Sequence, residues 1–460
     1  MAMEAAHASG AAASPLTRAL GGHRRWALFL LVLVYLFNFI DRTIIGTLGQ
    51  AIKDDLKISD FQLGILGGFV FALFYSALGL PIARLAERRN RVTIIAAAAA
   101  FWSLMTTLCG FAQGYLHLLL ARLGVGVGEA GYVPAAQSVI TDYYPPEKRS
   151  SALAIFNLGI PLGNMFGAFA AGAVAQTWGW RLAFVIVGLP GVVLGLIIKL
   201  TVKEPPRGQF DTAIAERPAP LGEVLRFLLA KPAFRHMMMG CGLAAFGGYS
   251  LMQFLHPFFV RNFELPYAQA ALLQGLIGGI ATGISMLIGG FLPDLIGRTD
   301  KRWYLWTPAI GGLFAAPAYC LGFMAPGWGA SFAVLLAAGI FQYFYLSPTY
   351  AVAHNMVDPR MRASAIAILI LAMNIIGLMC GPSFTGFMSD VFAGRAFGLG
   401  DYAALCPGGK AAAGAAAELA GACKAASAVG LKHALMLSSL AFTGSAVHYW
   451  LGARTLRREL

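Results

Sequence analysis

The sequence predicts an all-α membrane protein: twelve transmembrane helices in two six-helix, pseudo-symmetric bundles, with both termini in the cytoplasm. Three observations predict it. Of 460 residues, 58% are hydrophobic and only 12% charged, about half the charged fraction of an ordinary globular domain. Apolar runs of bilayer-spanning length recur along the chain. Short motifs repeat half a chain apart. Together these exclude a soluble protein, and mean hydropathy is +0.68.

Taken in order, residues 1–25 lack the short apolar core and small-residue cleavage site of a signal peptide. They read as a disordered cytoplasmic lead, with the first apolar run acting as its own insertion signal. Apolar runs follow at 26–50, 61–85, 92–112, 115–143, 150–176 and 182–202, forming an N-terminal bundle over 26–202. A polar cytoplasmic loop covers 203–233. Six further runs at 234–260, 268–292, 303–325, 329–354, 363–390 and 433–452 form a C-terminal bundle over 234–453. That bundle includes a long outer loop at 391–432, and a cytoplasmic tail covers 454–460. The runs are numbered spans 1 to 12.

A net charge of +13 raises the question of nucleic acid. The basic residues are instead scattered in short loops between apolar runs. Of the 34 Lys and Arg, 24 fall in loops on the side of the termini and 8 on the opposite side. This is the positive-inside bias. It places both termini in the cytoplasm and makes the bilayer, not nucleic acid, the partner. The expected location is a bacterial inner membrane, spanned many times by a monomer.

Cys109, Cys241, Cys320 and Cys380 lie in apolar spans and read as packing residues. Cys406 and Cys423 share the outer loop, where they are either free thiols or a disulfide contributing roughly 3 kcal/mol. No Cys/His spacing suggests a metal, and no cofactor is implied.

The halves resemble one another. Pro146-Glu-Lys-Arg149-Ser-Ser151-Ala-Leu-Ala-Ile155 follows span 4, and Pro359-Arg-Met-Arg362-Ala-Ser364-Ala-Ile-Ala-Ile368 follows span 10. Six of ten positions agree at an offset of 213. Leu85-Ala-Glu87-Arg88-Arg-Asn90-Arg91 after span 2 matches the place of Gly290-Phe-Leu292-Pro-Asp294-Leu-Ile-Gly297-Arg298 after span 8. Two matches in register argue for a duplicated six-span unit, as in many secondary transporters, whose substrate sites lie between the repeats near mid-membrane.

Charges inside spans carry the functional signal. A charge at bilayer depth costs about 3 kcal/mol on insertion scales, so it faces water or a partner. Span 1 carries Asp41 and Arg42, and Asn38 shares their face at helical spacing. Span 4 carries Arg122 and Glu129, two turns apart on one face. At 1.5 Å per residue, Asp41 lies about 22 Å along span 1, Arg122 roughly 10 Å and Glu129 roughly 20 Å from the opposite surface. Asp41, Arg42 and Arg122 are therefore expected together in the outer half, with Glu129 more alone near the centre. Carboxyl groups removed from water hold a proton more readily and a nearby arginine opposes this, so Asp41 and Glu129 are candidate proton carriers. Arg42 and Arg122 stay charged and suit an anionic group or the tuning of an acid; a static ion pair fixing helix packing is the bland alternative. Gly124, Gly126, Gly128 and Gly131 admit a close helix neighbour or leave room for substrate. Pro134 is expected to kink span 4.

The second half has no such charges in its spans. It offers Gln253, His256, Gln274, Gln342 and Asn374, with aromatic runs such as Phe341 to Tyr345. Gln253, Gln342, Tyr345 and Asn374 are the candidate cavity lining. His256 reads as interfacial rather than as a proton relay.

Gly290-x-Leu292-x-Asp294-x-x-Gly297-Arg298 and its degenerate counterpart over 83–91 resemble the cytoplasmic loop signature of the major facilitator superfamily. Within it, Asn38-Phe-Ile-Asp41-Arg42 on span 1 and Arg122-x-Gly124-x-Gly126-x-Gly128-Glu129 on span 4 resemble the Spinster family. A span-1 Asp-Arg also occurs in organic-anion symporters. Glu87 and Asn90 depart from the superfamily's usual Asp and Gly. The resemblance implies a central cavity lined by spans 1 and 4, and a cytoplasmic gate drawn from Glu87, Arg88, Arg91, Asp294, Arg298, Arg149 and Arg362. Acidic residues at the ends of spans 2 and 8 are able to hold a neighbouring helix N-terminus or an arginine, latching the halves; alternatively the arginines only fix topology.

The expected function is proton-coupled secondary transport, by alternating access, of an amphipathic anionic or zwitterionic molecule. The Spinster resemblance implies lysophospholipid or sphingoid cargo. Symport of small organic anions, drug efflux by antiport, and uncoupled lipid scrambling are the alternatives. An enzyme is not expected: there is no His-Glu-x-x-His, metal-ligand cluster, nucleophile elbow or Walker A loop.

Overall fold

A computed structural model describes residues 15–208, 210 and 219–459, and the described residues are helical with short connections. Among the described residues, ten helices are long and apolar enough to cross a membrane. The remaining two expected spans have local explanations. Residues 159–201 form one continuous helical run that kinks at Gly179, whose φ of 84° suits a residue without a Cβ, so spans 5 and 6 meet there without a loop. Span 4 consists of two helices, Tyr115–Glu129 and Tyr132–Tyr143. It breaks at Ala130–Gly131, because Pro134 has no N–H to donate to Ala130. The expected kink is thus a full break, and Glu129 sits at its lip.

Span 1 is longer than the hydropathy suggests. Its helix is Pro15–Leu56, roughly 63 Å at 1.5 Å per residue and twice the hydrocarbon thickness. Residues 15–25 are therefore helical rather than disordered, which corrects the expectation over the described part; residues 1–14 lie outside the described residues. The central loop also contains structure, an amphipathic helix Leu221–Ala230 that buries Val224 and Leu228 against the C-terminal bundle. The outer loop expected at 391–432 is shorter than that. Span 11 runs on to Phe397 through the largely apolar Val391-Phe-Ala-Gly-Arg-Ala-Phe397, and the next helix starts at Ala417, where an alanine-rich run extends it ahead of its apolar window. The expected tail is helical to Glu459, whose carboxylate accepts from the Ala233 N–H at 3.1 Å and so caps span 7.

Spans 3, 6, 9 and 12 present large exposed apolar side chains at helical spacing, among them Phe101, Leu104 and Leu108, then Leu189, Val193, Leu196 and Leu200. An apolar surface of this kind belongs against lipid. The duplication is visible in a hydrogen bond. Arg149 Nε donates to the Thr141 carbonyl and Arg362 Nε to the His354 carbonyl. Each arginine reaches back eight residues, and the two pairs lie at the same offset as the sequence repeat.

Candidate functional site: two clusters of buried charge

Span 1 brings Asn38, Asp41 and Arg42 to the interior, where Asn38 and Asp41 are buried. Opposite them, Glu129 and Arg122 are buried on span 4. Arg42 Nε donates to Glu129 Oε2 at 2.8 Å. Arg122 Nη1 donates to the main-chain carbonyl of Asp41 at 3.3 Å, not to its carboxylate. Glu129 therefore does not stand alone. The Arg42 side chain reaches Glu129, and Arg122 meets Asp41 through its main chain.

Much of this cluster is left unpaired. Asp41 Oδ1, Glu129 Oε1, Arg122 Nε and both amide atoms of Asn38 are buried without a hydrogen-bond partner. Thr106 Oγ1 and Trp102 Nε1 of span 3, also unpartnered, stand beside the Asp41 carboxyl. Such groups are costly in a low-dielectric interior, and they can change protonation or take a ligand. Arg42 completes its surroundings with aromatic faces, its guanidinium carbon 4.8 Å from the Tyr75 ring, 5.0 Å from Phe71 and 5.3 Å from Phe39. Tyr249 of span 7 also approaches Arg42, from the other bundle. Behind Tyr249 lie Tyr343, Tyr345 and Tyr350 of span 10.

The span-4 glycines serve packing. A Cβ on Gly126 would stand 2.8 Å from the Phe71 carbonyl and one on Gly128 2.8 Å from the Trp102 side chain. Of the candidate lining residues, Tyr345 is buried with its ring stacked on Tyr343 at 6.0 Å. Gln342 accepts from the Tyr319 hydroxyl, and Asn374 is buried in a π-helical turn of span 11. Gln253 donates to the Leu63 carbonyl at 3.4 Å, in a contact between the bundles. His256 is buried and hydrogen-bonded to the Tyr267 carbonyl at 3.1 Å.

A second cluster, which hydropathy and repeats did not single out, ties the bundles together on the side away from the termini. Asp60, at the start of span 2, accepts from both Arg261 Nη atoms at 2.6 and 2.7 Å, from Lys53 at 2.7 Å and from Ser389 at 2.7 Å. Asp390 accepts from the Asp60 and Phe61 N–H groups, and Arg261 Nε donates to Gln50 at 2.6 Å. Tyr267 and Lys410 reach Asp54 across the same seam. Charges at the far ends of apolar runs were the available signal, but the partners lie 201 and 329 residues apart. Glycine lets the backbones meet here: a Cβ on Gly64 would collide with the Pro382 carbonyl, and one on Gly386 with that of Asp60. Nearby, Cys406 and Cys423 form a disulfide.

The expected gate residues on the terminal side stay within their own halves. Arg91 is buried among Asp142, Glu204 and Ser138. Asp294 accepts from Tyr304 at 2.8 Å. Arg149 and Arg362 make the staples described above. Glu87, Arg88 and Arg298 are exposed. Asp300, outside the spans, is held well below the usual carboxylate range by hydrogen bonds from Arg302 and Arg457. Among the described residues, no hydrogen bond or ion pair joins the two bundles on this side.

The Major Facilitator Superfamily profile matches residues 31–307. The chain is 33% identical to an MFS-type efflux pump of Mycolicibacterium smegmatis, over 80% of this chain and 86% of that one. It is 31% identical to human protein spinster homolog 1, over 80% of this chain and 73% of that one. A solved structure, an inward-facing and unoccupied bacterial homolog to the human lysosomal transporter Spinster, aligns with a TM-score of 0.84 and 36% identity. That alignment covers 95% of this chain and 98% of that one.

Proposed function

The chain belongs to the major facilitator superfamily, as an integral multi-pass membrane transporter rather than an enzyme, and from that premise we propose that it couples protons to transport of an amphipathic, anionic or zwitterionic lipid-like molecule. The observation that carries this reading is the ion pair of Arg42 with Glu129, exposed on one side to tyrosines of the opposite bundle and flanked by unpaired buried carboxyl oxygens.

The coupling follows from charge balance. An ionised Glu129 holds Arg42. A proton on Glu129 cancels that attraction and frees the guanidinium for the anionic head of the cargo. Asp41, with Arg122 against its main chain, is the second proton site. Tyr249, Tyr343, Tyr345 and Tyr350 supply flat apolar faces with polar tips, suited to a greasy tail beside a polar head. Alternating access needs two closures. The Asp60–Arg261 cluster is the closure on the side away from the termini, and Glu87, Arg88, Arg91, Asp294, Arg298, Arg149 and Arg362 are the groups available for the opposite one. The disulfide suits an oxidising compartment on that far side, in keeping with cytoplasmic termini in a bacterial inner membrane. The protein acts as a monomer.

The test is transport in proteoliposomes. Glu129→Gln is expected to abolish pH-gradient-driven uptake of a lysophospholipid while ligand binding persists; full retention of driven uptake overturns the assignment. Equal uptake with and without a gradient in the native protein identifies an uncoupled facilitator. The mycobacterial relative favours one alternative, efflux of drug-like amphiphiles. Failure of lysolipids to compete with such compounds would select it.

A further inference from the structure

A groove far from both charge clusters has the chemistry of a lipid site. It occupies about 550 Å³ where the start of span 1 meets the start of span 5 on the terminal side, and its mouth carries Arg24, Arg25 and Lys148. No carboxylate lines it among the described residues. Arg24 Nε is buried without a hydrogen-bond partner, and its guanidinium lies 5.5 Å over the Tyr144 ring. Beyond the basic mouth the lining turns apolar through Phe29, Val32 and Ile155, and Phe29 is 52% and Ile155 47% exposed. Arg24 precedes Arg42 by eighteen residues of continuous helix, about 27 Å along the axis, so with Arg42 in the outer half the mouth lies at headgroup level on the terminal side, roughly 20 Å from the bilayer centre.

We propose that this groove holds an anionic diacyl phospholipid of the leaflet on the terminal side, with the phosphate between Arg24, Arg25 and Lys148 and an acyl chain along Phe29, Val32 and Ile155. The complementarity is twofold. Three cations with no carboxylate among the described lining residues select negative charge, and guanidinium groups suit a phosphate through paired N–H donors. The exposed apolar strip behind them selects a chain-bearing ligand over a free anion, because leaving it in water is unfavourable. The lipid is a resident of the fold and not cargo, since the groove lies well away from the Arg42–Glu129 pair.

The experiment measures lipid retained by the detergent-purified protein after exchange into equimolar phosphatidylglycerol and phosphatidylcholine, together with the melting temperature in each lipid. Phosphatidylglycerol is expected to be retained in preference and to stabilise the protein. Arg24→Gln/Arg25→Gln/Lys148→Gln is expected to lower that preference roughly tenfold or more, since each basic residue near an anionic surface contributes several-fold. Ile155→Trp, which keeps all three charges and fills the strip, is expected to lose the bound lipid as well, and it serves as the readout if the triple variant fails to fold. Undiminished preference in either variant overturns the proposal. So does equal stabilisation by glycerol phosphate or inorganic phosphate, which would mark a free-anion site.

Discussion

Two clusters of buried charge, each with two acids and two bases, behave in opposite ways. In the far-side cluster every carboxylate oxygen of Asp60 and Asp390 accepts a hydrogen bond, and the contacts cross between the bundles. In the mid-membrane cluster one ion pair forms, both partners belong to the N-terminal bundle, and an oxygen of each acid is left without a donor. A satisfied network fixes one arrangement, because any change of partner leaves a charge stranded. An unsatisfied one has low-cost alternatives, which is what a site that changes protonation requires. On the proposed function, the first cluster holds a conformation and the second changes state.

Substitutions test that contrast. The largest effect is expected from Asp60→Asn, which leaves Lys53 and Arg261 buried without their carboxylate. Breaking a buried pair costs about 3–5 kcal/mol, enough to shift the balance away from far-side closure by roughly two to four orders of magnitude. Spin-label distances between span 2 and span 11 ends would show it; unchanged distances would remove the cluster from the closure. Next is Gly64→Ala, placed where spans 2 and 11 touch. It is expected to open the same seam by about 1–3 kcal/mol, whereas Gly126→Ala, packed inside one bundle, is expected to lower thermal stability and leave the spin-label distances alone. Arg42→Lys keeps the charge but loses the planar fork. Substrate affinity is expected to fall roughly tenfold, about 1.4 kcal/mol, with the fold retained; an unchanged Kd would argue that Arg42 meets no anionic head. The smallest effect is expected from Asn38→Leu. Its amide makes no close hydrogen bond and stands beside the Glu129 carboxyl, so stability should stay within ~1 kcal/mol while transport falls, separating a working group from a structural one. A large drop in stability would mean the amide is bonded after all.

The same contrast shows what was legible from sequence. Asp41, Arg42, Arg122 and Glu129 stand out because a charge in an apolar run is conspicuous in one dimension. Asp60 and Arg261 do not, because charges at the ends of apolar runs look like ordinary loop residues. The span-4 glycines left two readings open, close packing or open space, and only the positions of Phe71 and Trp102 decide between them. Span 1 ran longer than its hydropathy window because helix continues past the hydrocarbon wherever the backbone has no reason to stop, and Pro15 is tolerated in its first turn.

Sequence by itself determined where the apolar runs lie, the duplication and the presence of four charges inside them, because hydropathy, local repeats and lone charges are properties of short windows. Tertiary structure alone decided that Glu129 takes Arg42, that Arg122 takes the Asp41 backbone, and that Asp60 binds the two bundles on the far side. Those pairings join residues 87, 81 and 201 positions apart. Which acid meets which base over such separations depends on helix rotation and depth, and these are set by packing between spans, not by any one of them.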